Sequence, residues 1–172
     1  MIHPKTNRGS ILISGASIAG PSLAYWLSRY GFEVTVVERA RSVRSGGYPI
    51  DVRGTATEVI ERMGMLPHLQ AAHIDTRKLN FVDAQGASIA VLPPEALSGG
   101  TTGRNIELPR GTLTALLYEK TQNQAIHYRF NDSIAALEDD GAGVSVRFKS
   151  GEHGRFDIVV GADGMHSNTR AL

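Results

Sequence analysis

The stretch ILISGASIAGPSLAYWLSRYGFEVTVVER, residues 11–39, decides the fold class of this chain. An apolar run at 11–14 predicts a buried strand. Apolar side chains that recur every three to four positions in 19–30 predict a helix, which ends at Gly31. A β-branched run at 33–37 predicts a second strand. A strand, a glycine-bearing turn, a helix and a strand in this order are typical of a βαβ unit that binds a dinucleotide.

The turn between the first strand and the helix departs from the usual fingerprint at one position. Gly15 permits the tight turn and Gly20 permits close packing of helix on strand, but the middle position is Ser17. Serine is small, and its hydroxyl can donate to a phosphate oxygen, so the change is tolerable. Because a helix N-terminus attracts anions, we expect a diphosphate on the segment that includes Ile18 and Ala19.

An acidic residue closes the second strand. Glu38 lies about 20 residues after Gly15, where dinucleotide-binding units carry the acid that binds ribose hydroxyls. A carboxylate there repels a 2′-phosphate, which favours NAD or the adenosine half of FAD over NADP. The adjacent Arg39 has three open interpretations: it stacks over adenine, binds phosphate, or is a solvated surface arginine.

Composition narrows the function classes. The chain has 172 residues, of which 41% are hydrophobic and 20% charged, as expected for a soluble globular domain. Its net charge of +1 gives no sign of a nucleic-acid or membrane partner. The absence of cysteine excludes disulfides and thiolate sites. The six histidines, at positions 3, 68, 73, 127, 153 and 166, lack metal-ligand spacing, so we expect no metal.

The chain shows no targeting or membrane signal. No apolar run approaches the roughly 20 residues that cross a bilayer. The polar start MIHPKTNRGS lacks the apolar region of a signal peptide. We therefore expect a cytoplasmic protein.

The rest of the chain is rich in strands. The pattern predicts a polar loop at 39–54, helices at 55–63 and 112–121, and strands at 79–82, 87–92, 106–108, 125–130, 134–137, 144–148 and 156–160. Turn residues predict hairpins at 83–86 and 138–143, and a loop at 98–105. We expect an α/β fold in one domain, 1–172, whose Rossmann-like sheet carries antiparallel β-rich insertion segments at 75–110 and 125–150.

Three further stretches point to one family: SGGYPIDVRG (45–54), IELPRGTLTALLYE (106–119) and FDIVVGADGMHSNTR (156–170). With GASIAG and the acid after the second strand, they make the chain resemble the N-terminal portion of the single-component FAD-dependent aromatic hydroxylases, the para-hydroxybenzoate hydroxylase-like flavoprotein monooxygenases. The resemblance implies a glutathione-reductase-type FAD-binding fold, NAD(P)H as reductant, and hydroxylation of an aromatic or polyketide-type small molecule.

The resemblance assigns roles to several positions. Arg110, at the start of a helix, is expected to contact the FAD ribityl–pyrophosphate region, and Arg53 is a second candidate for the pyrophosphate or substrate side. Gly46-Gly47 matches the family segment that passes under the flavin ring. No catalytic residue is nominated, since no side chain in hand must lie at the reactive edge of the flavin.

The GADG stretch carries the family's DG motif at Asp163 and Gly164. The resemblance places this aspartate near the pyrophosphate and ribose. A carboxylate is repelled by phosphate, so we expect it to accept hydrogen bonds from sugar hydroxyls and from backbone N–H groups of its own turn. Ser167 and Arg170 complete the family pattern, with the arginine as a packing partner.

The family carries a third FAD stretch, a Gly-Asp motif before a proline- and glycine-rich turn, and this sequence stops before it. From this difference we expect weak FAD binding by the chain alone and a homodimer through exposed sheet surface. An alternative is a non-catalytic ADP- or FAD-binding module. A third hypothesis, an NAD-dependent dehydrogenase, is disfavoured by the DG motif and by the lack of a Tyr-x-x-x-Lys site.

Overall fold

A computed structural model describes residues 8–94, 96, 105–122 and 124–172. Within these residues the elements in chain order are β1 (Ser10–Ser14), α1 (Ala19–Arg29), β2 (Glu33–Glu38), β3 (Pro49–Val52), α2 (Thr55–Arg62), α3 (Leu66–Ala71), β4 (Leu79–Val82), β5 (Ser88–Leu92), β6 (Ile106–Pro109), α4 (Arg110–Gln122), β7 (Ile126–Phe130), β8 (Ile134–Asp139), β9 (Val144–Phe148), β10 (His153–Phe156), β11 (Ile158–Gly161) and a 3-10 helix (Thr169–Ala171). The predicted loop at 98–105 lies outside the described residues, except for Asn105.

The chain divides into two compact units. The first unit comprises Met1–Ser45 and Thr114–Leu172, and the second comprises Gly46–Leu113. The first unit contains a four-stranded sheet in the order β11-β1-β2-β7, in which all neighbouring strands are parallel. A parallel sheet reached through a βαβ unit confirms the predicted α/β fold.

The first unit is built in three layers around the parallel sheet. One face of the sheet, including Ile13 and Val36, packs against Ala24 of α1. The other face, including Leu12, packs against Phe148 of the antiparallel sheet β10-β9-β8. Fully burying an aliphatic or aromatic side chain of this size contributes about 1.5–3 kcal/mol. Burial on both faces explains why β1, the strand with Ile11, Leu12 and Ile13 all buried, is a continuous apolar run.

The predicted single strand at 156–160 is wrong, because two strands of different sheets meet there. β10 pairs antiparallel with β9, whereas β11 pairs parallel with β1. Asp157 separates them: its carboxylate oxygen Oδ2 accepts hydrogen bonds from the Ser10 backbone N–H (2.6 Å) and from Ser10 Oγ (2.9 Å). This contact directs the chain from one sheet to the other, and nothing in the apolar run marks the change.

The second unit contains two antiparallel strand pairs and two short helices. β3 pairs with β6, so the predicted polar loop at 39–54 is wrong over Pro49–Val52. α2 ends at Arg62, within one residue of the predicted end at 63. A further helix that was not predicted, α3, begins at Leu66, with Pro67 in its first turn, where proline is tolerated. The β4–β5 hairpin is confirmed, with Gly86 in its turn at φ +86°.

The described part of the chain can be searched for a membrane-spanning helix and for a metal-binding group. None of its helices is both long enough and apolar enough to cross a membrane. Among the same residues, no group of three histidine, aspartate or glutamate side chains could hold a metal ion.

Candidate functional site

The turn after β1 requires glycine at position 15. Gly15 has φ +114°, a conformation that L side chains rarely adopt, and a Cβ there would lie 2.5 Å from the carbonyl oxygen of Ala162. The backbone N–H of Gly15 donates to the carbonyl oxygen of Val37 at 2.8 Å. The turn is therefore tied to the ends of both neighbouring strands, β2 and β11.

Gly20, in the first turn of α1, is where the helix meets the turn most closely. It is buried, and a Cβ there would overlap the carbonyl oxygen of Gly15. The missing side chain lets the start of the helix lie directly on the end of the strand, which is the packing role that the fingerprint predicts for its third glycine.

The N-terminus of α1 presents the donors that an anion needs. The first N–H groups of a helix have no carbonyl partner within the helix, and they carry a partial positive charge of about half a unit. Ser17 and Ile18 are half-buried and Ala19 is exposed. The first turn holds no acidic side chain that would repel a phosphate. This end of α1 can therefore receive a diphosphate, as the sequence predicts.

Glu38 lies at the same end of the sheet, but its carboxylate contacts the backbone. The residue is 7% exposed. Its Oε2 accepts a hydrogen bond from the Ala16 N–H at 2.9 Å, and its Oε1 accepts one from the Ala40 N–H at 2.9 Å. An Arg44 guanidinium nitrogen lies 3.8 Å from Oε1. The contact with Ala16 was not predicted, and the ribose-binding role stays a prediction. The neighbouring Arg39 is exposed.

The carboxylate of Asp163 also forms hydrogen bonds within its own turn. It accepts hydrogen bonds from Ser167 Oγ (2.6 Å), the Thr169 N–H (3.0 Å) and Thr169 Oγ1 (3.0 Å). Partial burial raises the pKa of Asp163, whereas the hydrogen bonds to its carboxylate lower it. The hydrogen bonds together have the larger effect, so the pKa lies below its ordinary value. Gly164 follows at φ +86°, with open space where a Cβ would be. The sequence reasoning missed Thr169, which lies six residues after the aspartate.

Arg170, for which a packing role was predicted, is exposed and forms hydrogen bonds within its own turn. One of its guanidinium nitrogens, Nη2, donates to the carbonyl oxygen of Met165 at 2.7 Å, and its backbone N–H donates to Ser167 Oγ at 3.0 Å. The arginine therefore closes the turn that carries Asp163.

The first unit thus brings three predicted segments together. β11, β1 and β2 are neighbours in a parallel sheet, and their carboxyl ends lie at one edge. Asp163, Gly15 and Glu38 lie at or just beyond those ends, and the Ala162 N–H donates to the carbonyl oxygen of Ser14 at 2.8 Å. Ligands of open α/β sheets bind at this edge.

The second unit holds the other predicted residues. Arg110 begins α4, as predicted, and its backbone N–H donates to the carbonyl oxygen of Tyr48 at 3.3 Å. A Cβ on Gly47 would lie 3.4 Å from the Arg110 Cβ, so the glycine pair and the arginine are neighbours. Arg53 forms an exposed ion pair with Asp51 at 2.8 Å. Whether either arginine contacts a cofactor stays a prediction.

Comparison with known proteins indicates which dinucleotide this chain binds. Residues 8–172 match the family described as "FAD binding domain". This chain belongs to the FAD binding domain family. The match supports FAD as the dinucleotide of this domain, and binding of FAD at the glycine turn stays a prediction.

Several relatives of this FAD binding domain are named as flavin-dependent monooxygenases. A flavin-dependent monooxygenase from an unknown prokaryotic organism is 38% identical over 94% of this chain and 41% of its own length. The uncharacterized protein Rv1260 of Mycobacterium tuberculosis is 45% identical over 95% of this chain and 44% of its own.

A solved structure extends the likeness to three dimensions. The crystal structure of tetracycline destructase Tet(55) is 36% identical, with a TM-score of 0.81 over 98% of this chain and 41% of that chain. The chain therefore spans about two fifths of the length of the proteins it matches. The predicted resemblance to FAD-dependent monooxygenases is confirmed.

Proposed function

We propose that this chain is the FAD-binding part of an NAD(P)H-dependent flavoprotein monooxygenase that hydroxylates an aromatic or polyketide-type small molecule. The observation that carries the proposal is the cradle formed by Gly15 and Gly20, in a chain that matches the FAD binding domain family from residue 8 to residue 172. A side chain at Gly20 would fill the space in which the helix meets the turn, and a side chain at Gly15 would clash with Ala162, just after β11.

The residues present fit the ADP half of FAD. The N–H groups from Ser17 to Gly20 would hold the diphosphate, because they start a helix whose first turn is free of acidic side chains. Arg110 would supply a planar cation to the same diphosphate. When bound, FAD supplies the electron transfer and oxygen activation that side chains lack. The role of this chain is to bind and orient that cofactor.

A reductant and an organic substrate follow from the reaction class. A monooxygenase inserts one atom of O₂ into its substrate and reduces the other to water, which requires two electrons and two protons. NAD(P)H is the donor that the resemblance implies. The related tetracycline destructase is named for a polyketide, and this supports an aromatic or polyketide-type substrate for the present protein.

Binding and turnover test the proposal separately. Purified chain is titrated with FAD and with ADP by calorimetry, and NAD(P)H oxidation is followed with and without FAD. Saturable FAD binding at one site per chain is expected, and absence of both FAD and ADP binding would contradict the proposal. FAD binding without NAD(P)H oxidation would instead support the alternative of a non-catalytic binding module.

A further inference from the structure

We infer that Glu38 acts on the diphosphate of FAD as a positioning residue, by fixing the phosphate-binding turn through the Ala16 N–H. The inference rests on the proposed FAD function and assigns this carboxylate a role in addition to the predicted recognition of ribose. The whole argument lies within the first compact unit, which contains the turn, Glu38 and the strand that carries it.

Both oxygens of the carboxylate are engaged by backbone donors. Oε2 accepts from Ala16 and Oε1 from Ala40, each at 2.9 Å, and the residue is 7% exposed. Burying a carboxylate is costly unless hydrogen bonds compensate, and charge-assisted bonds to N–H groups are among the stronger ones. The side chain therefore has a defined position before any ligand arrives.

The contact with Ala16 selects which amides remain for phosphate. Ala16 directly follows Gly15, and its N–H points at Glu38 rather than towards a ligand. The Gly15 N–H is likewise taken by the carbonyl oxygen of Val37. The helix itself begins at Ala19, so the amides at its N-terminus are the donors proposed for the diphosphate. Glu38 thus anchors the near end of the turn.

Anchoring the turn and binding ribose make different demands on the ligand. If Glu38 acts through Ala16, its loss weakens every ligand that carries the diphosphate, with or without ribose hydroxyls. If Glu38 acts only by accepting bonds from those hydroxyls, its loss has no effect on a ligand that lacks them. Affinities of wild type and of a Glu38 variant for one ligand with ribose hydroxyls and one ligand without them separate the two roles.

The variant is Glu38→Gln. The glutamine amide has one acceptor oxygen and one NH₂ group, so it can accept a hydrogen bond from only one of the two backbone N–H groups and places a donor against the other. Affinities for ADP and for 2′,3′-dideoxy-ADP are measured by calorimetry for the full chain. We expect Glu38→Gln to weaken the binding of both ligands, 2′,3′-dideoxy-ADP included, by about 10- to 100-fold. The matched control is Glu33→Gln, which removes an exposed charge from the same strand and should change neither affinity. Weakening confined to ADP would overturn the inference.

A second measurement needs no ligand. Amide hydrogen exchange in the wild-type chain should show protection at Ala16, and Glu38→Gln should raise exchange there at least about tenfold, with Val34 and Val36 unchanged. An unprotected Ala16 in wild type would overturn the inference even if Glu38→Gln fails to fold. If the wild-type chain does not bind ADP, the proposed function is contradicted instead. The exchange rate of the Ala16 amide would then still test the contact with Glu38.

Discussion

Gly15 and Ala162 approach so closely that no side chain fits between them. A Cβ on Gly15 would lie 2.5 Å from the carbonyl oxygen of Ala162, and Gly15 has φ +114°. The two residues follow the paired strands β1 and β11, whose last register pair is Ser14 with Gly161. The phosphate-binding turn and the DG turn are therefore packed against each other, and each restricts the position of the other.

Substitution of Gly15 should therefore lower the free energy of unfolding by more than backbone strain alone would. Gly15→Ala pays for the left-handed φ and for the clash with Ala162, so we expect the free energy of unfolding to fall by about 2–4 kcal/mol. Gly141→Ala is the control, since Gly141 has φ +79° with no atom within 4 Å of a built Cβ. Urea unfolding of both variants measures the difference, and equal losses would contradict the packing argument.

Arg110 should contribute more to FAD affinity than Arg53. The resemblance assigns Arg110 to the FAD pyrophosphate, and this residue stands at the start of α4 beside Gly47. The Arg53 guanidinium lies 2.8 Å from the Asp51 carboxylate. We expect Arg110→Ala to weaken FAD binding about 10- to 100-fold and Arg53→Ala to weaken it less. Calorimetric titration of both variants decides between them. A larger loss for Arg53→Ala would reverse the assignment.

Acid should remove the stabilisation that Asp163 provides. Its pKa in the folded chain lies below the ordinary value of 3.8, so the ionised form stabilises the fold at higher pH. That contribution is fully present above the unfolded-state pKa and is lost as pH falls through the folded-state pKa. Asp163→Asn should therefore lower stability by about 1 kcal/mol near pH 7, with the difference from wild type vanishing in acid.

Urea unfolding of wild type and Asp163→Asn over a range of pH measures this effect. The exposed Asp75→Asn serves as the control for removal of a carboxylate. A difference between wild type and Asp163→Asn that stays constant from neutral to strongly acidic pH would argue against ionic stabilisation of the DG turn.

Ser17 should behave as a tolerated replacement for the middle glycine. If its hydroxyl donates to a phosphate oxygen, Ser17→Ala should weaken FAD binding about 10- to 100-fold, the cost of one charge-assisted hydrogen bond. Ser17→Gly restores the fingerprint and separates the loss of the hydroxyl from the gain of backbone space. An affinity that rises for both variants would show that the serine hinders the cofactor.

The local pattern predicted most of the elements because their signals lie within a few residues. The strand–turn–helix at 11–30 and the β4–β5 hairpin need only periodicity and turn residues, and both are present. β3 was missed because its partner, β6, lies more than 50 residues away. The break at Asp157 was missed for a similar reason, since its hydrogen-bond partner is Ser10, 147 residues earlier in the chain.

The sequence by itself determined the βαβ class, the need for glycine at positions 15 and 20, and the FAD-binding family, because short-range sterics and motif spacing carry that information. Only the tertiary structure decided what the two carboxylates contact. Glu38 bonds to Ala16 across neighbouring strands, and Asp163 bonds to a threonine six residues on. The first partner is set by which strand ends the sheet brings together, and the second by how the chain folds back after β11. Both arrangements are properties of the fold, because the spacing of the residues does not specify which donor each carboxylate meets.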